Sequence, residues 1–158
     1  MKKIISLDQL KNIILKISHK KTVLVGGCFD VLHYGHLTFL REAKKEGDFL
    51  IVALESDEFI KKKKKRVPIH NQAQRAEILS AVEYVDLIIK LPLLTEDLDY
   101  YNLVKIIRPS VIATSLGDPL IENKKKQAEM VNGKVKIIKN FVKNLSTQKI
   151  RQVLRYEI

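Results

Sequence analysis

The chain has 158 residues, of which 46% are hydrophobic, and its 29 Lys and Arg against 18 Asp and Glu give a formal net charge of +11. This length favours a single domain, residues 1–158, with its own hydrophobic core. No run of about 18 apolar residues occurs, which excludes a membrane-spanning helix, and the N-terminus turns polar again too soon for a signal peptide. A single cysteine excludes an internal disulfide and indicates a reducing compartment, so we expect a cytoplasmic protein. The positive charge indicates an anionic partner.

The spacing of apolar residues predicts strands and helices that alternate along the chain. An amphipathic helix over 7–17 dominates an N-terminal helical segment, residues 1–20, and the core of the domain follows over 21–158. Strands are predicted at 22–25, 49–54, 85–89, 111–113 and 135–138, and further helices at 37–45, 71–82, 100–107, 120–130 and 147–156. This order predicts an α/β fold, a doubly wound, Rossmann-like parallel sheet of five strands with right-handed crossovers and helices on both faces. Ligands in such folds bind beyond the carboxyl ends of the strands.

The turn after the first predicted strand holds two histidines, His33 and His36, at the start of a helix. Backbone N–H groups at a helix start are unpaired and the helix dipole is positive there, so this turn suits a phosphate group. Residues three apart share a helix face, and we expect both imidazoles to point at one ligand. Their N–H groups can donate to phosphate oxygens that gain charge during phosphoryl transfer. The alternative is that the two histidines only cap the helix.

The segment from Gly27 to His36 reads G-x-F-D-x-x-H-x-G-H. It resembles the first motif of the cytidylyltransferase-like nucleotidyltransferases, which include glycerol-3-phosphate cytidylyltransferase, the adenylyltransferase domain of ADP-heptose synthases and archaeal FAD synthetases. The resemblance spans about residues 22–154 and implies that both histidines bind the triphosphate and the negative charge that develops on it. Other members carry Thr where this chain has Cys28, so its backbone N–H is expected to matter more than its thiol. Nucleotide contacts are implied for Gly27, Cys28, Phe29, Asp30 and Gly35.

A basic tract, residues 61–66, follows the second predicted strand. Such a run is most often a solvated loop or helix face. In the resembling family, however, a loop at this place brings lysines over the triphosphate and over the phosphate of the second substrate. The resemblance therefore implies a catalytic role for Lys63 and a nucleotide contact for Lys65. Arg75 matches the arginine on the next helix and is expected to touch phosphate, the alternative being a surface arginine.

Two later segments also match the family. Gly117 and Asp118 match a Gly-Asp pair near the ribose or base, although a plain turn before a proline would need no ligand. Ser146 and Thr147 match the Ser-Thr of a phosphate-binding G-I-S-T-T element, whereas a bare N-cap would explain Ser146 alone. The chain departs from that element over 141–145, where the family's arginine and glycine are missing. Nearby lysines can supply charge but lack the bidentate geometry of arginine.

The resemblance implies direct nucleotidyl transfer from a Mg²⁺-bound nucleoside triphosphate to a phosphorylated acceptor, with release of pyrophosphate, and the likeness to the ADP-heptose synthase domain favours ATP and a sugar 1-phosphate. Glycerol-3-phosphate cytidylyltransferase using CTP is the next reading, and FAD synthetase using ATP and FMN the third. Mg²⁺ should arrive mainly on the nucleotide phosphates, because no cluster of His, Cys, Asp and Glu has metal-ligand spacing. The family's habit implies a homodimer, with neither nucleic acid nor membrane as partner. Readings of another class are a nucleic-acid-binding module that uses the lysine tract and a nucleotide sensor without turnover.

Overall fold

The computed structural model describes residues 2–139, 149–150 and 152. Within this part of the chain six strands form one sheet: β1 (Ile4–Ser6), β2 (Thr22–Gly27), β3 (Phe49–Leu54), β4 (Leu87–Lys90), β5 (Val111–Ser115) and β6 (Lys134–Ile138). All neighbouring strands are parallel, in the order β1-β4-β3-β2-β5-β6. The predicted parallel α/β sheet is therefore confirmed.

Six α-helices cover the two faces of this sheet in the described residues: α1 (Leu10–Ile17), α2 (Tyr34–Lys44), α3 (Asp57–Lys64), α4 (Gln72–Ser80), α5 (Asp97–Ile107) and α6 (Ile121–Met130). Apolar residues of α1, α5 and α6 pack with Ile51 and Ala53 on one face. Apolar residues of α2 and α4 pack with Leu50 and Val52 on the other. The strand residues alternate between the two cores, and each fully buried aliphatic side chain contributes about 1.5–3 kcal/mol. None of the helices in the described part is long and apolar enough to cross a membrane.

The sheet differs from the prediction in its strand count, which is six rather than five. The additional strand, β1, lies at the sheet edge and pairs with β4, with Ile4 opposite Ile88. It has three residues and buries only Ile5 fully, so it shows no apolar run of the usual strand length. A 3₁₀ turn over Leu7–Gln9 then leads into α1. The predicted last helix, residues 147–156, lies almost wholly outside the described residues.

The lysine tract also differs from the loop that the family resemblance implies, because most of it belongs to α3. Ser56 caps this helix by accepting a hydrogen bond from the backbone N–H of Phe59 at 3.1 Å. Ile60 is buried and anchors the helix to the core, whereas Lys61–Lys64 are exposed. A good cap and one buried anchor suffice to make a short helix of a strongly charged sequence.

The strand order fixes where a ligand can bind. From the central strand β2 the chain steps through β3 to β4 on one side, and through β5 to β6 on the other. The order therefore reverses between β2 and β5, and the loops that leave their carboxyl ends separate to opposite faces of the sheet. In open α/β sheets the crevice at this point is the usual ligand site.

Candidate active site

The turn from β2 to α2 places both histidines at a helix start. Phe29 and Val31 have left-handed backbones, with φ of 46° and 60°, a conformation that costs about 1–2 kcal/mol per residue. Burial of the Phe29 ring offsets this strain. A Cβ atom at Gly27 would lie 2.9 Å from that ring, so glycine is needed for it to pack there. The carbonyl of His33 then accepts hydrogen bonds from the N–H groups of His36 at 2.9 Å and Leu37 at 3.1 Å, which starts α2.

The two imidazoles stack on each other. Their ring centroids are 3.8 Å apart with 28° between the planes, and the ring of Phe29 lies 5.2 Å from that of His36. The Nδ1 atoms of both His33 and His36 are buried and have no hydrogen-bond partner among the described residues. Buried polar atoms without partners are rare and destabilising. The pair is therefore arranged as expected for donors or acceptors that await a ligand.

Burial also sets the charge of the pair. It lowers the pKa of His33, and it lowers the pKa of His36 to about 4, with repulsion from His33 adding to the effect. Both rings are neutral at pH 7 in the free protein. A neutral imidazole still donates one N–H, so the pair can bind phosphate oxygens without a prior protonation step.

Arg75 lies at the same sheet edge, and every nitrogen of its guanidinium group is already paired within the protein. It is 1% exposed, and each of its three guanidinium nitrogens donates a hydrogen bond. The acceptors are the carbonyls of His70 at 3.1 Å, Cys28 at 2.5 Å and Glu55 at 2.8 Å, and the Asp57 carboxylate at 2.8 Å. These bonds join the β2 loop, the end of β3 and the start of α3. These bonds use four of the five N–H donors of the guanidinium group, and the expected phosphate contact of Arg75 stays a prediction.

Asp30 is likewise turned toward the protein. Its carboxylate accepts hydrogen bonds from the Arg66 guanidinium and from the N–H groups of Ile69 at 3.0 Å and His70 at 3.3 Å. Burial alone would raise the pKa of Asp30, but the hydrogen bonds from Arg66, His70 and Ile69 hold it below its ordinary value. In this structure the Asp30 carboxylate fixes the segment after the lysine tract. Its nucleotide contact stays a prediction.

The lysine tract lies at the rim of the site. Lys63 and Lys65 are exposed, and Lys65 ends α3 in a left-handed conformation with φ of 53°. The charge of Lys64 acts on both Cys28 and Glu55. The roles of Lys63 and Lys65 stay predictions.

The turn after β5 carries the Gly-Asp pair. Gly117 has φ of 80°, and no atom lies within 4 Å of a Cβ built there. Asp118 accepts hydrogen bonds from the Thr114 hydroxyl, the Lys124 ammonium group and the N–H of Leu120. Its carboxylate is thus held by the protein, while the backbone at Gly117 faces open space. Gly35 is buried in the first turn of α2, and Ser146 and Thr147 lie outside the described residues.

A buried carboxyl group at this sheet edge, that of Glu55, was not predicted as a site residue from the sequence. Glu55, the residue directly after β3, is 7% exposed, and the Tyr100 hydroxyl donates to its Oε1 at 3.0 Å. Its Oε2 is buried without a hydrogen-bond partner in the described part of the chain. Burial raises the pKa of Glu55 to about 7, against the lowering effects of Tyr100 and nearby cations. The sequence signal that could have indicated Glu55 is a charged residue directly after six apolar strand residues.

Comparison with known proteins agrees with this geometry. Residues 24–153 match the Cytidylyltransferase-like family. The bifunctional protein HldE of Campylobacter fetus is 41% identical over 112 residues, 70% of this chain and 23% of that protein. The FAD synthase of Thermococcus kodakarensis is 47% identical over 94 residues, 60% of this chain and 61% of that protein. The chain thus spans less than two thirds of the length of these relatives.

Solved structures show the same fold. A lipopolysaccharide core biosynthesis protein from Thermoplasma volcanium aligns with a TM-score of 0.64 and 26% identity, over 77% of this chain and 98% of that one. A pantoate-beta-alanine ligase from Francisella tularensis aligns with a TM-score of 0.62 over 98% of this chain and 78% of that one, and at 19% identity it supports the fold alone. The family match begins within β2, includes both histidines and runs past β6, and it confirms the predicted resemblance: the chain belongs to the Cytidylyltransferase-like family.

Proposed function

We propose that this chain transfers a nucleoside monophosphate from a nucleoside triphosphate, first of all ATP, to a phosphorylated acceptor such as a sugar 1-phosphate, releasing pyrophosphate. The observation that carries the proposal is the stacked pair of His33 and His36, whose Nδ1 atoms are buried without partners at a helix start beside the reversal of strand order. The similarity to HldE supports ATP and a sugar phosphate, and the similarity to FAD synthase supports FMN as an alternative acceptor.

The reaction is one displacement at phosphorus. An oxygen of the acceptor phosphate forms a bond to the α-phosphorus of the triphosphate, the bond from that phosphorus to the bridging α–β oxygen breaks, and pyrophosphate leaves with the electron pair. No covalent enzyme intermediate is formed, so the chain needs no nucleophile. Burial and the nearby Glu55 raise the pKa of Cys28, which keeps this thiol protonated and unreactive.

The side chains act by position and charge. His33 and His36 donate N–H groups to the phosphate oxygens on which negative charge grows, the kind of contact that is strongest in a site closed to water. The exposed lysines at the end of α3, Lys63 and Lys65 among them, draw in both anionic substrates. Arg75 and Asp30 hold the surrounding loops in register. Gly117 lets the nucleotide approach the backbone after β5, and Ser146 and Thr147 complete the phosphate cradle.

Mg²⁺ is proposed to enter with the triphosphate. Its preferred ligands are oxygen atoms. In the described residues no group of three or more His, Cys, Asp and Glu side chains could hold a metal ion. When bound with the nucleotide, the ion would neutralise charge on the triphosphate.

The test is a screen for pyrophosphate release with purified protein. ATP and CTP are each combined with a hexose 1-phosphate, glycerol 3-phosphate and FMN, with Mg²⁺ present throughout. We expect turnover with one nucleotide and one acceptor, and no turnover without acceptor. Nucleotide binding by calorimetry with no pyrophosphate from any pair would instead favour the sensor, to which the altered residues 141–145 also point.

We further propose a homodimer in the cytoplasm. A groove between α2 and the end of α4 is lined by Tyr34, Leu37, Arg41 and Tyr84, and Tyr34 is 59% exposed. Tyr and Arg side chains, which this groove presents together, are enriched in protein–protein interfaces. Analytical ultracentrifugation should show a dimer that Leu37→Glu weakens, and a monomer at every concentration would exclude it.

The free thiol of Cys28 is consistent with a reducing compartment.

A further inference from the structure

Glu55 is a buried carboxyl group that the proposed reaction does not use. It is 7% exposed, and its Oε1 accepts a hydrogen bond from the Tyr100 hydroxyl at 3.0 Å. Its Oε2 is buried and has no partner among the described residues. An unpaired buried carboxylate oxygen is destabilising, and an acceptor in this state is satisfied when a donor from a ligand reaches it.

Glu55 lies on a defined face of the sheet, at the end of the strand that pairs with β2. Side chains alternate along β3, so Glu55 follows Ile51 and Ala53 onto the face that α5 covers, and its bond to Tyr100 of α5 agrees with this. Leu91, which begins the loop after β4, donates its N–H to the carbonyl of Leu54 at 3.0 Å. The nucleotide is expected between β2 and β5, and Glu55 lies next to that position at the end of β3, on the other side of β2 from β5, where a second substrate can meet the nucleotide.

The charges around Glu55 select the chemistry of its partner. The cationic groups of Arg75, Lys64 and Lys124 all act on this carboxyl group. They suit an acceptor that carries a phosphate, whereas an ammonium group on the acceptor would meet three like charges. A hydroxyl group donates a hydrogen bond without adding charge, so a phosphorylated compound with hydroxyl groups fits both the cations and the free oxygen.

We propose that Glu55 is a specificity residue for the acceptor: its Oε2 accepts a hydrogen bond from a hydroxyl group of the phosphorylated acceptor, and Tyr100 holds the carboxyl group in place for that contact. This inference rests on the proposed nucleotidyl transfer. Tyr100 is a positioning residue, since it acts through Glu55. A site built to pair a hydroxyl rejects analogues that lack it, because the buried oxygen is then left without a partner.

The experiment compares each acceptor with a counterpart that lacks hydroxyl groups. The pairs are a hexose 1-phosphate with cyclohexyl phosphate, glycerol 3-phosphate with n-propyl phosphate, and FMN with a flavin bearing an alkyl phosphate chain. The pair that supports turnover in the wild type is then measured in Glu55→Met and Tyr100→Phe at pH 8, where the carboxyl group of Glu55 is ionised and its Oε2 can accept a hydrogen bond. The readout is the ratio of kcat/KM between the two members. Calorimetric binding of the nucleotide and circular dichroism establish that each variant is folded.

We expect the wild type to prefer the hydroxylated member at least about tenfold, as for one hydrogen bond to a charged group. The preference should fall to about one in Glu55→Met and to an intermediate value in Tyr100→Phe. A folded Glu55→Met variant that keeps the wild-type preference would overturn the inference and leave a structural carboxyl group. Absence of turnover with every acceptor in the wild type would instead overturn the proposed function, and this inference with it.

Discussion

Two polar regions lie side by side at the carboxyl edge of the sheet, and they differ in how their hydrogen-bonding capacity is used. In the histidine turn, the Nδ1 atoms of His33 and His36 are buried without partners in the described structure. In the neighbouring network, every guanidinium nitrogen of Arg75 is paired, and Asp30 is held by Arg66 and two backbone N–H groups. In the sequence, the family resemblance implies ligand contacts for residues of both regions alike.

The difference separates binding from positioning. A buried group without a partner lowers stability and gains most from a ligand, whereas a group that uses four of its five N–H donors within the protein mainly stabilises the loops around it. We therefore assign the histidine turn to the ligand and the Arg75 network to the shape of the site. Glu55 lies between the two regions and combines both states, with one oxygen paired and one not.

The largest expected effect comes from Arg75→Met. The change leaves the Asp57 carboxylate and three carbonyls without their partner, and breaking a buried ion pair costs about 3–5 kcal/mol. The free energy of unfolding from urea titration measures it. Arg108→Met is the matched control, because Arg108 is exposed, lies outside the proposed dimer groove and should change stability by less than about 0.5 kcal/mol. A stable Arg75→Met protein that has lost only turnover would instead place this arginine on the phosphate.

The second effect is a pH dependence of stability caused by Glu55. Its pKa in the folded protein, about 7, lies above its ordinary 4.5, so the folded state keeps a proton that the unfolded state releases. The contribution of Glu55 is fully present below pH 4.5 and is lost as the pH rises through 7. Relative to Glu55→Gln, the wild type should lose on the order of 3 kcal/mol of unfolding free energy between pH 4.5 and 8.

This comparison isolates Glu55 from the other groups that titrate nearby. His36 acts in the opposite direction, because its lowered pKa removes stability as the pH falls from 6.5 toward 4. Both proteins contain that histidine, together with Tyr100, Arg75, Lys64, Lys124 and Cys28, so their effects largely cancel in the difference. A difference that stays constant from pH 4.5 to 8 would show that the carboxyl group is not buried as described.

The fold could be predicted from the sequence because its core strands are continuous apolar runs. The runs in β2 and β3 are long enough to show burial on both faces of the sheet. β1 could not be found in this way, because a three-residue edge strand next to two lysines is too short to show a period. α3 was missed for a different reason, since its cap at Ser56 and its anchor at Ile60 are overshadowed by the lysines.

The site could be predicted only in part. The spacing of His33 and His36 is local, and it was enough to place both imidazoles together at a helix start. The acceptors of Arg75 lie 5, 18, 20 and 47 residues away in the sequence, so the hydrogen bonds of its guanidinium group depend on the tertiary fold. The pairing of Glu55 with Tyr100, 45 residues apart, depends on it equally. Residue type indicates which groups can bind a ligand, and the fold decides which of them are still available.

The third effect is on catalysis. His36→Ala should lower the rate of nucleotidyl transfer at least about a hundredfold, the usual cost of losing one donor to the charge that develops in the transition state. The unfolding free energy is measured alongside, because the change removes a buried atom that lacks a partner and also the ring contacts with His33 and Phe29. His19→Ala, at an exposed position, is the control. Turnover within a few-fold of the wild type would show that the histidine turn has no catalytic part.

The smallest effect concerns the lysine tract and the nucleic-acid alternative. Lys63 and Lys65 are exposed, so replacing both by alanine should weaken triphosphate binding by about tenfold or less, with a difference that shrinks at high salt. Calorimetric titration at two salt concentrations measures this. Binding of DNA or RNA should be weak and salt-sensitive in both proteins. A tight, sequence-selective complex that the double variant loses would favour the nucleic-acid-binding module.

The assignment of the histidine turn to the ligand is tested most directly by the imidazoles themselves. Protein labelled with ¹⁵N in its histidines is titrated with non-hydrolysable ATP and CTP analogues, and the ring nitrogen signals are followed by NMR. The signals of His33 and His36 should shift together as the better analogue saturates the protein, their pKa should rise as phosphate approaches, and the exposed His19 should not respond. Unchanged His33 and His36 signals in a protein that calorimetry shows to be saturated would contradict the account.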